Sequence, residues 1–431
     1  MIRRGLRTLR FLVGFGVARG VLFVAPIVMA NLLPIERYGQ FELAQAYASI
    51  GTLVVGCGLI GTVPLIRLRE EIKARWDTLQ LLVLILAGIC IGLALLLAIG
   101  AKGLYTMHVL VPLGTGVLLM QGLWANTLKS HGRSTSAVFV DAGFWIASVA
   151  GAGVLVSAGG GFSAGTITLA LMLYAAVLLA VTLSRFKQSY EGAFFLADLL
   201  HNIALGLPLM FTGVLTVLIT SSGRLILGPT SGVEAVGIYA IIYRATTLPL
   251  VGHQMLIIGF FRQIFSWSDE VLRDRAVVIV FGVSATVMAF WGLEPWIGWM
   301  LGQRFVKVIA AYRTEGLFLL IQTILWSAIA LNDLINSRLQ IAGRVTVFTG
   351  PYLLIGLLVL ASWTSSRAQA VGIGDTLQGF VLGHFCLMAG FYAMQCTASW
   401  LLGHRLIRLW LTVLACTAGT GLLIFLGEHF S

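Results

Sequence analysis

Apolar residues run in long stretches separated by short polar turns, from one end of the chain to the other. Thirteen stretches are legible, at 11–33, 42–66, 79–101, 108–128, 137–157, 165–183, 200–222, 236–261, 276–299, 314–337, 345–363, 377–401 and 406–427. A helix needs about 20 apolar residues to cross a hydrocarbon core of roughly 30 Å. The stretches lack the period-two alternation of a membrane barrel. Backbone polar groups in lipid must be satisfied within the chain, so helices are the reading. The pattern predicts an all-α polytopic membrane protein.

The pattern also repeats. Residues 36–47 read ERYGQFELAQAY and residues 234–245 read EAVGIYAIIYRA, an offset of 198, so that Glu36, Gly39 and Phe41 recur as Glu234, Gly237 and Tyr239. A second correspondence follows the fourth and tenth stretches, where His131-Gly132-Arg133 matches Ala342-Gly343-Arg344. Both halves hold six stretches and begin on the same side, so the repeats are parallel, about an axis along the membrane normal, a plan that secondary transporters share. The expected organisation is an N-terminal six-helix lobe at 1–184, a cytoplasmic linker at 185–199, a C-terminal six-helix lobe at 200–403 and an extra C-terminal transmembrane helix at 404–431. The two lobes would surround a central cavity.

Charge changes the picture in two ways. Charged residues are 10% of the chain against 58% hydrophobic, where soluble domains carry about 25% charged. The net charge of +11 does not signal nucleic acid, because 19 of the Lys and Arg residues lie in alternate loops and 6 in the others. The positive-inside rule then puts the N-terminus in the cytoplasm and, with thirteen spans, the C-terminus outside. The loop 294–313 breaks the rule, with Arg304, Lys307 and Arg313 among Trp296 and Trp299 on the outer side. It reads as a short interfacial turn or helix. The five cysteines lie in apolar stretches without CxxC spacing and read as buried small hydrophobes.

Ionisable residues inside spans are costly, about 2.5–3.5 kcal/mol for a central Arg, and they mark function or a paired interior. Arg19 lies within the first span, Arg244 within the eighth and Arg224 near the outer end of the seventh. Guanidinium suits phosphate in bidentate geometry, so a cationic cavity for an anionic headgroup is one reading. Pairing with a carboxylate, or snorkelling of Arg224 to the interface, is the other. In-span carboxylates are few: Glu42, Asp141 and Asp333.

Glu42, Gln45, Ser49 and Thr52 share one helical face, and Tyr243, Thr247 and Gln254 form a related face at the repeat offset. They are either opposite walls of a cavity or helix–helix hydrogen bonds. Gln322, Asp333, Asn336 and Gln340 fall near one stripe of the tenth span. Asp333 is a candidate for coupling to H⁺ or Na⁺, or a paired residue near the cytoplasmic end. His108 and His253 lack a second ligand at i+3 or i+4, so no metal site is expected, and no nucleophile–base pair or phosphate loop is recognisable. No cofactor is expected.

The opening ANLLPIERYGQFELAQAYASIGTLVVGCGLIGTVPLIR resembles the start of bacterial polysaccharide flippases. So do the passage LPLMFTGVLTVLITSSGRLILGPTSGVEAVGIYAIIYRATTLPL, the stretch LEPWIGWMLGQRFVKVIAAYRTEGLFLL and the later LQIAGR. These proteins belong to the multidrug/oligosaccharidyl-lipid/polysaccharide exporter superfamily. The resemblance covers about residues 10–400 in diffuse patterns. The family often has Asp-Arg late in the seventh span, where this chain has Gly223-Arg224.

The resemblance implies a flippase of the bacterial inner membrane that carries undecaprenyl-pyrophosphate-linked oligosaccharide to the outer leaflet. Its partners would be membrane lipids, H⁺ or Na⁺, and polysaccharide polymerase or assembly proteins. The expected pyrophosphate ligands are Arg19 and Arg244, with Arg224. The alternatives are a cation-coupled small-molecule exporter of the same superfamily, a membrane enzyme of glycan assembly, or a non-transporting assembly partner.

Overall fold

A computed structural model describes residues 2–68, 75–100, 103–157, 159, 164–189, 192, 196–250, 253, 268–293, 296, 300–339, 341–404 and 407–430. Among them every regular element is helical. The helices are α1 (Ile2–Leu32), α2 (Ile35–Val55), α3 (Leu59–Leu68), α4 (Trp76–Gly100), α5 (Met107–Ser130), α6 (Ser134–Asp141), α7 (Gly143–Ile146), α8 (Ala152–Ser157), α9 (Ala164–Ser189) and α10 (Leu196–Thr246). There follow α11 (Asp269–Gly292), α12 (Gln303–Ala311), α13 (Arg313–Arg338), α14 (Ala342–Ala370), α15 (Ile373–Leu401) and α16 (Ile407–Phe430). Among the described residues nine of these helices are long and apolar enough to span a membrane.

Several expected spans are not single helices. The second stretch is split between α2 and α3 by a turn at Gly56–Gly58, where Cys57 (φ 45°) and Gly58 (φ 69°) are left-handed. The fifth is broken into α6, α7, a π-helical segment Ala147–Gly151 and α8. A break inside apolar surroundings needs substitute hydrogen bonds. Gln121 of α5 supplies them: its Nε2 donates to the Asp141 carbonyl (2.7 Å) and its Oε1 accepts from the Phe144 amide (2.9 Å). The seventh and eighth stretches join in α10, whose only non-helical residue is Gly232 (φ 86°, ψ 174°). That conformation is essentially reserved for glycine.

The chain forms two compact units, Met1–Leu225 and Ile226–Ser431. The division falls inside α10, beyond the repeat boundary at 184–200. The repeat is nevertheless visible in the packing. In the first unit α5, the fourth span, packs on α4 and α9, the third and sixth. In the second, α13, the tenth span, packs on α11 and α15, the ninth and twelfth. These two hubs are the most buried of the candidate spans. The C-terminal helix α16 packs on α11 and α13, and a Cβ at its Gly427 would meet the Trp291 ring.

The N-terminal part of α10 is seated on α2 and α3. A Cβ at Gly206 would collide with the Cys57 carbonyl, and one at Gly58 with the Gly206 carbonyl. A Cβ on Gly213 would meet Leu53, and one on Gly61 would meet Leu209. Small residues of this kind let membrane helices approach backbone to backbone. At the base of the same pair, Arg75 bridges Asp77 (2.6 Å) and Asp198 (3.6 Å), tying the start of α4 to the start of α10. In the turn before α5 the Tyr105 hydroxyl donates to the Arg37 carbonyl (2.9 Å), and burial pushes its pKa up, so it stays a donor.

A direct test of the α10 break is available. Gly232→Ala meets no steric neighbour, so its cost is backbone strain alone, about 1–3 kcal/mol. Gly88→Ala, in the interior of α4 and equally unobstructed, should be neutral or mildly stabilising. Thermal unfolding of the two purified variants in detergent should show a lower midpoint for the first only.

Candidate functional site

The sequence-predicted residues of the first repeat converge on one buried charge. Glu42, on α2, is completely buried. Its Oε1 accepts from the Tyr38 hydroxyl one turn earlier (2.8 Å), and its Oε2 lies 2.7 Å from Nε of Arg224 on α10. Arg224 is 6% exposed. It does not snorkel to an interface; it lies inside α10, which continues past the expected end of the seventh span. Its carboxylate partner comes from another helix, α2, and not from a neighbour in sequence. Removing one partner of a buried pair strands the other charge, which is why such pairs are costly to break.

Gln45, Ser49 and Thr52 continue the same face and are half-buried. Ser49 Oγ donates to the Gln45 carbonyl (2.9 Å) and Thr52 Oγ1 to the Ala48 carbonyl (2.8 Å). In the second repeat Thr247 Oγ1 donates to the Tyr243 carbonyl (2.7 Å), the bond equivalent to Ser49–Gln45 at the repeat offset. Each hydroxyl keeps lone pairs to offer.

Tyr243 stacks near Tyr239 (5.8 Å between centroids) and edge-on to Trp326 (5.3 Å). Arg244 is half-buried beside it. Arg19 lies on α1, but its side chain is outside the described residues, as are Gln254 and Gln340. Asp141, the second in-span carboxylate, pairs with Lys129 (2.8 Å).

In the second unit a polar ladder joins α13 to α15. Gln322 Nε2 and His384 Nδ1 are 2.7 Å apart. Gln395 Nε2 donates to Asp333 Oδ1 (2.7 Å), Asn332 Nδ2 to Gln395 Oε1 (3.4 Å), and Ser399 Oγ to Asn336 Oδ1 (2.9 Å). Asp333 itself is at the surface of the unit. Ser327 Oγ meets His253 Nδ1 at 2.9 Å. The stripe on α13 was legible; its partners His384, Gln395 and Ser399 were not singled out. Their spacing, i, i+11, i+15, puts them on one helical face, and that was the available signal. Among the described residues no three His, Cys, Asp or Glu side chains group to hold a metal ion. The five cysteines are all free, and Cys386 is exposed rather than buried.

A profile of the family described as "Polysaccharide biosynthesis protein" matches residues 8–259, more than half of the chain. The chain belongs to this family. Its fold is that of the MATE transporters of the MOP superfamily. An inward-facing multidrug resistance MATE transporter matches at TM-score 0.55 with 15% identity, over 89% of this chain and 95% of that one. An outward-facing one matches at TM-score 0.51 with 16% identity, over 92% and 96%. A MATE in complex with MaD5 matches at TM-score 0.54 with 16% identity, over 92% and 95%. No curated protein sequence matches. This member of the polysaccharide biosynthesis family is thus a multi-pass helical membrane protein of two lobes with a transporter fold.

The Glu42–Arg224 pair makes a specific prediction. Glu42→Ala and Arg224→Leu should each destabilise by about 3–5 kcal/mol, because each leaves a buried charge alone. The double variant Glu42→Ala/Arg224→Leu should recover part of the loss. Unfolding midpoints of the four proteins check it; additive losses in the double variant would show that the pair contributes no coupling.

Proposed function

We propose that the protein is a flippase that moves undecaprenyl-pyrophosphate-linked oligosaccharide from the cytoplasmic to the outer leaflet of the bacterial inner membrane by alternating access. The observation that carries the reading is the identity of the engaged charges. Among the carboxylates within the spans, Glu42 is engaged by Arg224 and Asp141 by Lys129, while Arg19 and Arg244 add positive charge to the spans. A site built to attract cationic compounds would need acidic groups instead. Membership of the polysaccharide biosynthesis family supports the same cargo.

In this mechanism Arg19 and Arg244 hold the pyrophosphate, where bidentate guanidinium contacts are strongest. Gln45, Ser49, Thr52, Tyr243, Thr247 and Gln254 receive sugar hydroxyls. Arg224 joins the anion-binding set only when its pair with Glu42 opens. Asp333, held by Gln395 near the cytoplasmic end of α13, is the candidate for coupling to H⁺ or Na⁺. The N-terminus is cytoplasmic and the C-terminus periplasmic. No catalytic step is assigned to the chain.

The test is the lipid-linked glycan pool of a strain lacking the gene, complemented with wild type, Arg244→Ala or Arg244→Lys. Loss of surface polymer, with single repeat units stranded on the cytoplasmic leaflet, is expected for the deletion and for Arg244→Ala at normal membrane abundance. Lysine should restore only part, since it presents a point charge and not a fork. Normal surface glycan with new sensitivity to cationic compounds would instead indicate the multidrug-exporter alternative. Units that reach the outer leaflet unpolymerised would indicate an assembly enzyme.

A further inference from the structure

The proposed transport makes no use of the loop that breaks the charge bias, and the structure gives that loop a definite form. Helix α12 places Gln303, Arg304 and Lys307 on one face and Phe305, Val308 and Ile309 on the other, with Phe305 fully buried. Beside it, in the second unit, lies a shallow, open-sided recess. Its walls include Ile242, Phe290, Trp291, Ile309 and Leu320. The hydroxyl at the wall, Thr246 Oγ1, already donates to the Ile242 carbonyl (2.9 Å). The one charged group lining it is Arg313, the first residue of α13, and it is exposed.

Depth and chemistry narrow the occupant. Phe290 and Trp291 end α11 and Arg313 begins α13, so the mouth is at a membrane interface, the outer one by the charge bias. From Arg313 to Leu320 the helix descends about 10 Å at 1.5 Å per residue, within one leaflet of a core roughly 30 Å thick. Walls that are almost wholly apolar suit hydrocarbon and give sugar little to bind. A guanidinium at the mouth has five donors, enough to take a phosphate whatever else it contacts.

We propose that this recess is a binding site for one anionic glycerophospholipid of the outer leaflet, with an acyl chain between α10, α11 and α13 and its phosphate on Arg313. A recess that ends within one leaflet suits part of an acyl chain, whereas the isoprenoid tail of the transported lipid is much longer. The site is separate from the residues assigned to transport.

The experiment is native mass spectrometry of the full-length protein in mild detergent, titrated with dioleoyl-phosphatidylglycerol or with dioleoyl-phosphatidylcholine. No lipid-linked glycan is added, so a failure here leaves the flippase reading untouched. Wild type should retain one phosphatidylglycerol with about tenfold preference over phosphatidylcholine, the scale of one charge-assisted contact. Gly316→Leu, whose side chain would grow toward Ile242 and fill the recess, should lose that lipid. Arg313→Gln, an exposed and tolerated site, should keep lipid binding and lose the preference. Equal retention of both lipids by wild type would overturn the proposal. So would undiminished phosphatidylglycerol on folded Gly316→Leu or a preference unchanged in Arg313→Gln.

Discussion

The structure of the first unit depends on how a full positive charge is kept in the apolar interior. Arg224 is almost wholly buried, and Glu42 is wholly so. Each would be prohibitive alone, and together, with the Tyr38 hydroxyl on the second carboxylate oxygen, they are tolerable. The pair fixes more than itself. It pins the middle of α10 to α2, while the contacts of Gly206 with Cys57–Gly58 and of Leu209 with Gly61 hold the N-terminal part. Neither set works without the other: glycine contacts supply close approach without register, and a single ion pair supplies register without area. This explains why the first helix of the second repeat belongs, by packing, to the unit formed by the first.

Much of the architecture is legible in the chain because membrane spans announce themselves by length and hydropathy, and a repeat by its offset. The offset even predicts bonding: Ser49 to Gln45 and Thr247 to Tyr243 are the same backbone contact made twice. The packing of α5 on α4 and α9, mirrored by α13 on α11 and α15, is the same correspondence at the level of helices.

What stays hidden are features decided by partners far along the chain. The break between α6 and α7 is stabilised by Gln121, and a lone glutamine in a span gives no sign of which backbone it will cap. The continuity of α10 through residues 223–231 runs against the polar, Gly- and Pro-containing text there. An isolated chain would favour a turn, but the helix is held by Glu42 on one side of the stretch and gives way only at Gly232. The ion pair was obscured for a related reason. No carboxylate adjoins Arg224 in sequence, and its partner Glu42 comes from another helix.

These placements divide the intramembrane arginines by what they are free to do. An arginine whose charge is matched at 2.7 Å in a dry interior offers an incoming anion only what remains after its present partner is displaced, and displacement strands Glu42. Arg244 is half-buried, next to an aromatic pair and a threonine face, and so is more open to an incoming anion than Arg224. Differential interaction, and not charge alone, decides whether a ligand can shift a conformational equilibrium. Under the proposed function the more open Arg244 is the recognition residue. The Glu42–Arg224 pair suits holding: its opening would have to be driven by something that binds the opened form better than the closed one.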